Sequence, residues 1–164
     1  MIRTKRLLLR AAEPGDVDDL HTVFSDPETM RYWSTLPHSY EETRDFVEGM
    51  RGIDPKTGVD WVIEYQGRAV GKAGCWRLPE VGYILHRDFW GQHIMTEAMQ
   101  ALIPVIWRLY PDLPELIGDI DPGNLGSAKL LRKLGFVYTH TEQNTLQIGE
   151  NWFDSDFYKL SRPS

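Results

Sequence analysis

The sequence has a single cysteine, Cys75, among its 164 residues. No disulfide can form within the chain, so its stability must come from burial, and a reducing compartment suits it. Long hydrophobic runs are also missing. Met1-Ile2-Arg3-Thr4-Lys5-Arg6 is followed only by Leu7-Leu8-Leu9 before Arg10, too short for the apolar region of a signal peptide. The longest apolar stretch, Ala101 to Trp107, contains Pro104 and falls far short of a membrane span. These absences point to the cytoplasm and away from a membrane partner. Basic residues are in the minority, 18 against 24 acidic, for a net charge of −6. That balance argues against nucleic acid as a partner and suits a cationic or amine ligand. There is no G-x-x-x-x-G-K-[ST] and no G-x-G-x-x-G after an early strand. Nor is there metal-ligand spacing: His86 and His93 stand apart without a cysteine pair or HExxH, so no metal is expected.

What remains is an ordinary globular composition, 41% hydrophobic and 26% charged. Area scaling gives about 8,400 Å² folded against about 27,600 Å² unfolded, enough burial for one domain over residues 1–164. Leu7 to Leu9 reads as a strand ended by Glu13-Pro14-Gly15. Asp16 is placed to N-cap a helix carrying Val17, Leu20, Val23 and Phe24. Ser39-Tyr40-Glu41-Glu42 is a capping-box pattern opening a helix that buries Phe46, Val47 and Met50. Strands are expected over 60–65 and 68–76, joined by Gln66-Gly67, and over 80–85. Met95, Ala98, Met99, Leu102, Val105, Ile106 and Leu109 keep helical spacing, with a kink expected at Pro104. A strand over 116–120, a helix over 124–134 ended by Gly135, and strands over 137–141 and 156–160 complete the chain. This order makes a mixed α/β sheet, with the helix after residue 94 crossing between two parallel strands.

The informative stretch is Val81 to Ala98, where a strand runs through a turn into an amphipathic helix. A helix N-terminus there presents unpaired N–H groups and partial positive charge, a natural seat for a pyrophosphate. An ordinary strand–helix turn has the same outline.

Trp90-Gly91-Gln92-His93-Ile94-Met95-Thr96-Glu97-Ala98 resembles the acetyl-CoA loop of the GNAT N-acetyltransferases, in the branch that includes the ribosomal-protein acetyltransferases RimJ and RimL. Downstream, Asn124-Leu125-Gly126-Ser127 and Lys133-Leu134-Gly135-Phe136 resemble that branch's N-x-x-S and K-x-G-F. Thr4 to Arg10 and Met30-Arg31-Tyr32-Trp33 resemble it as well. The resemblance implies a mixed, mostly antiparallel sheet splayed between its fourth and fifth strands, here 80–85 and 116–120, flanked by about four helices. It implies acetyl-CoA as co-substrate, with backbone N–H groups of Gln92 to Thr96 on its pyrophosphate and Trp90 and Gly91 in the same loop. It also implies Asn124 on the pantetheine arm, Lys129 and Arg132 near the nucleotide phosphates, and a backbone N–H near Leu85 on the oxyanion. The acceptor would be a primary amine on a small molecule or a peptide, and the enzyme a monomer or homodimer.

The resemblance places the acid for the leaving thiolate at Ser127, because the tyrosine used by other branches falls on Leu131. A serine in a helix's first turn also serves backbone donors. For the base, strand alternation puts Glu80, Gly82 and Ile84 on one face and Val81, Tyr83 and Leu85 on the other. If the first face lines the cleft, Glu80 reaches a water beside the amine; otherwise it is an exposed carboxylate. Asp119 and Asp121 are further candidates, while Glu97 has a structural setting. His86 reads as a surface residue and Cys75 as a buried apolar one. His93 stands where the family usually keeps glycine, so it either narrows the loop or meets a phosphate itself. Tyr32, Trp33 and Tyr40, with Trp61, Trp76 and Trp152, are candidate walls for the acceptor, and Glu28, Glu41 and Glu42 candidate attractors of its charge. The acidic excess is therefore expected on the acceptor side and positive charge beside the loop. A transferase of longer acyl-CoA and a non-catalytic CoA-sensing module remain as alternatives.

Overall fold

A computed structural model describes residues 1–164. The elements in chain order are β1 (Ile2–Arg3), β2 (Leu7–Arg10), α1 (Val17–Phe24), α2 (Tyr40–Arg51), β3 (Val59–Tyr65), β4 (Arg68–Arg77), β5 (Glu80–Leu85), α3 (Ile94–Leu109), β6 (Glu115–Ile120), α4 (Leu125–Lys133), β7 (Val137–Ile148) and β8 (Asn151–Ser161). The strands form one sheet in the order β1-β2-β3-β4-β5-β6-β8-β7. Every pairing is antiparallel except β5 with β6, whose connection is α3. The expected mixed sheet with four flanking helices is therefore present. The extra strand β1 makes the splayed pair fifth and sixth in the chain.

Local chemistry explains most element ends. Ser39 Oγ accepts from the Glu42 N–H at 3.2 Å, and Glu42 Oε1 accepts from the Ser39 N–H at 3.0 Å, closing the capping box of α2. Gln66 and Gly67 take φ of 52° and 77°, the double left-handed turn that a tight hairpin needs. Asp16 departs from expectation. Its carboxylate takes the Arg10 guanidinium at 2.7 and 2.9 Å and the Glu13 N–H at 2.7 Å, and caps no α1 N–H. The bidentate arginine outcompetes a helix amide. α3 runs on through Pro104 to Leu109.

The last two strands are much longer than expected. The polar run Glu142-Gln143-Asn144 breaks alternation, yet the ladder continues past a register shift between Glu142 and Leu146, with Asn144 at φ 54°. The resulting ribbon stands out from the sheet. With the cleft beside it, it helps raise the folded surface to 9219 Å², about a tenth above the scaling value.

Two cores sandwich the sheet. Val81, Leu85, Met99, Leu102, Leu116 and Leu131 pack beneath α3 and α4. Phe24, Val47, Val62 and Ile84 pack beneath α1 and α2. β5 feeds both layers by alternation, so Glu80, Gly82 and Ile84 do share the α1/α2 face. No helix is long and apolar enough to cross a membrane.

Candidate active site

The start of β5 pairs with the middle of β6, Glu80 with Ile117 and Val81 with Gly118, and the two strands then part. On the other side of β5 the His86 N–H bonds the Val70 carbonyl of β4 at 2.9 Å. By alternation Tyr83 and Leu85 turn their N–H and C=O groups away from β4, into the gap. The indole N–H of Trp90 fills the Leu85 carbonyl at 2.8 Å. The amides of Tyr83 and Leu85 remain on the open edge. A cleft of about 1160 Å³ passes through this gap from one face of the sheet to the other.

On the α3/α4 face the cleft meets bare backbone. None of the N–H groups from Gly91 to Thr96 bonds an acceptor in the protein, and no side chain caps α3. α4 is closed by contrast: Asn124 Oδ1 accepts from the Ser127 N–H at 3.1 Å. Gly91 at φ 75° and His93 at φ 58° give the loop its left-handed turns, the arrangement that turns successive amides toward an anion. His93 thus adopts what glycine adopts freely, at a cost of about 1 kcal/mol. Its imidazole is exposed and lines the cleft, Nδ1 3.3 Å from Lys133 Nζ.

Lys129 and Lys133, one turn apart on α4, both line the cleft. Arg132 does not, because its position on the helix turns it to the sheet, 5.7 Å over the Tyr158 ring. The Gln92 side chain also stays out of the wall, its Nε2 donating to the Asp88 carbonyl at 3.4 Å. Ile94, Met95 and Thr96 line the wall, as do Trp90, Gly91 and His93. Ser127 lies beside the buried Tyr83 hydroxyl, which makes no hydrogen bond of good geometry and which burial pushes up to about 12.

On the α1/α2 face the wall is made of side chains. Trp76 lies on Phe46 at 5.0 Å, Phe46 on Phe24 at 4.7 Å, and His38 stacks on Phe24 at 5.0 Å. Gly49 makes room for Trp76, since a Cβ there would stand 2.6 Å from its ring. Trp33 and Tyr32 line the same wall, and Tyr32 packs against Gly123 across the cleft. The other aromatic candidates lie elsewhere. The Tyr40 hydroxyl bonds Asp18 at 2.8 Å, Trp61 lines a separate pocket, and Trp152 is exposed on the ribbon.

Glu28, Glu41 and Glu42 are likewise outside, held by Arg31, Arg44 and Ser39. The acids in the wall are Glu80, Asp119, Asp121 and Asp154. Glu80 is an exposed residue at the mouth of the cleft; partial desolvation of its carboxyl, and then the nearby charge of Asp119, push it above its usual range, with Lys72 pulling the other way. Glu97 accepts from the Thr4 hydroxyl at 2.5 Å and from Arg6 Nε at 2.7 Å, pinning α3 to the turn between β1 and β2. His86 Nδ1 accepts from the Asp88 N–H at 3.2 Å. Cys75 is fully buried and its thiol is pushed up to about 12, which rules it out as a nucleophile.

Sequence reasoning passed over Lys133, His38, the ribbon residues Thr145, Leu146 and Phe153, and above all the pair Asp60–Lys72. That pair meets at 3.0 Å with side chains 0% and 3% exposed, Lys72 Nζ lying 5.3 Å from the Trp33 ring centre. A charge at an inward position on each arm of one hairpin was the available signal.

The profile of the acetyltransferase (GNAT) domain matches residues 6–137. The uncharacterized N-acetyltransferase p20 of Bacillus licheniformis is 28% identical over 143 residues, covering 81% of this chain and 80% of its own. A GNAT-family acetyltransferase from Bacillus anthracis superposes with a TM-score of 0.84 at 23% identity, over 98% of this chain and 97% of that one. RimL, the ribosomal L7/L12 alpha-N-protein acetyltransferase in complex with coenzyme A, superposes at 0.82 and 23% identity, over 96% and 95%. At those identities the two structures speak for the fold alone.

Proposed function

The chain belongs to the GNAT acetyltransferase family, and we propose that it transfers the acetyl group of acetyl-CoA directly to a primary amine, on a small molecule or a peptide N-terminus. It does so as a single domain over residues 1–164, in the cytoplasm, as a monomer or homodimer. The observation that carries this reading is the unbroken run of unbonded amides from Gly91 to Thr96, opening beside the free edge of β5. Those amides suit a pyrophosphate, and the Tyr83 and Leu85 edge suits the amide groups of a pantetheine arm. Lys129 and Lys133 add positive charge at the same end.

In the transfer step the neutral amine attacks the thioester carbon, forming the C–N bond, and the C–S bond breaks to release CoA thiolate. The Leu85 N–H is placed to donate to the oxyanion. Glu80 takes the ammonium proton through a water, a task that its raised proton affinity suits. The nitrogen sheds its second proton as the amide forms, and Ser127, beside the Tyr83 hydroxyl, relays a proton to the thiolate so that CoA leaves as the thiol. Trp33 and Trp76, with Glu80 and Asp119, offer an aromatic and acidic setting for the incoming ammonium.

Calorimetry with acetyl-CoA, followed by thiol release over a panel of aromatic amines, aminoglycosides and short peptides, tests the reading. Binding with release on at least one amine supports it. Absence of binding at millimolar acetyl-CoA would sink it, and binding without release on any amine would favour a CoA sensor.

A further inference from the structure

Four strands that neighbour one another each place one charged side chain on the α1/α2 face of the sheet. Asp60 comes from β3, Lys72 from β4, Glu80 from β5 and Asp119 from β6. The register fixes their sharing of a face. Lys72 pairs with Ile84, which packs under α1 and α2, and Glu80 pairs with Ile117, two residues before Asp119. Lys72 is the pivot. Asp60 Oδ2 holds its ammonium at 3.0 Å, the Trp33 ring centre lies 5.3 Å from it, and Nζ reaches across to Gly82 of β5, where a Cβ would meet it in ordinary contact at 3.4 Å.

We propose that this row is one electrostatic device, in which Lys72 and Asp119 are positioning residues that act through Glu80 and set how readily it accepts and releases the acceptor's proton. The inference rests on the reading of Glu80 as the proton acceptor. A buried ion pair is a poor way to gain stability, because desolvation cancels most of the attraction. This pair is not optimised for stability either, because Asp60 Oδ1 has no hydrogen-bond partner. Its placement makes sense as a fixed positive charge beside a carboxylate that must not stay protonated. Asp119 supplies the opposite pull, so that Glu80 still takes a proton from an ammonium.

The proton balance is simple. The ammonium loses one proton to the Glu80 carboxylate through water, becomes the nucleophile, and Glu80 later returns the proton to solvent. The other charged or titratable groups on this stretch of wall are Arg77 on β4, Asp121 after β6, Asp154 on β8, and Arg31 and His38 between α1 and α2. Arg77 is exposed, in register with Glu80.

The test titrates the Glu80 carboxyl by side-chain carbon NMR in the full chain, with the signal assigned by its loss in Glu80→Gln. Asp119→Asn, at an exposed position, should lower the midpoint by about half a pH unit, and Lys72→Met combined with Asp60→Asn should raise it by a smaller amount, because the pair it removes is neutral overall. Paired replacement avoids stranding one buried charge. If the double variant does not fold, Asp119→Asn decides alone. With acetyl-CoA and phenethylamine as probe, the acid limb of kcat/KM should move with the midpoint. A midpoint unmoved by these changes overturns the proposal. A moved midpoint with an unmoved limb keeps the coupling and removes Glu80 from proton transfer, so the two readings fail separately.

Discussion

The two walls of the cleft do their work with different parts of the chain. The α3 wall is backbone: consecutive amides from Gly91 to Thr96 and the open edge of β5, with lysines only at the rim. The α1/α2 wall is side chains: Trp33, Phe46, Trp76, Glu80 and the Asp60–Lys72 pair, brought from separate segments. Backbone recognition suits a ligand that never varies, because any residue able to adopt the turn will serve. His93 shows this by holding a glycine conformation at φ 58°. Side-chain recognition suits a ligand read by its shape and charge, since each residue there can change without disturbing the loop.

If the walls are separable, damage to one should spare the other. The largest effect is expected from Glu80→Gln, which should cut thiol release about a hundredfold or more while leaving acetyl-CoA affinity unchanged in calorimetry. The same variant carries a stability signature. Because the folded state raises the Glu80 carboxyl above its unfolded value, the ionised residue costs stability once pH rises past that value. The variant should therefore melt no lower than the wild type at pH 8, with the difference fading toward pH 4. Next in size, Trp76→Ala should raise the acceptor KM about tenfold with little change in acetyl-CoA binding, measured by steady-state kinetics. On the other wall, Lys129→Ala with Lys133→Ala should weaken acetyl-CoA binding about fivefold at low salt, and less at high salt as screening removes the contribution of exposed charges. The smallest change is expected from His93→Gly, within about twofold in affinity, because the left-handed turn is already formed in the free chain and its strain cancels between the free and bound states.

The same contrast explains what the sequence made legible. The α3 wall is contiguous in the chain, so Trp90 to Ala98 could be read as a unit. The helix over Leu125–Lys133 and the parallel pair of β5 and β6 followed from equally local patterns. The other wall depends on register between distant strands. Lys72 looks like a surface residue until β3, β4 and Trp33 close over it, and Glu41 and Glu42 look available until α2 turns them to its own cap and to Arg44. Arg132 and Lys133 are adjacent in sequence, yet the helix sends one to Tyr158 and the other to the cleft. The ribbon of β7 and β8 was underestimated because its outer half is held by ladder bonds and the Thr145–Ser155 contact at 2.6 Å, without a hydrophobic alternation to announce it.

The most direct test of the backbone wall is an amide NMR titration of the full chain with acetyl-CoA. The account predicts that the amides from Gly91 to Thr96, together with those of Tyr83 and Leu85, show the largest shifts, identically in wild type and in Glu80→Gln. Shifts confined to the pocket beside Trp61, or none at millimolar acetyl-CoA, would contradict it.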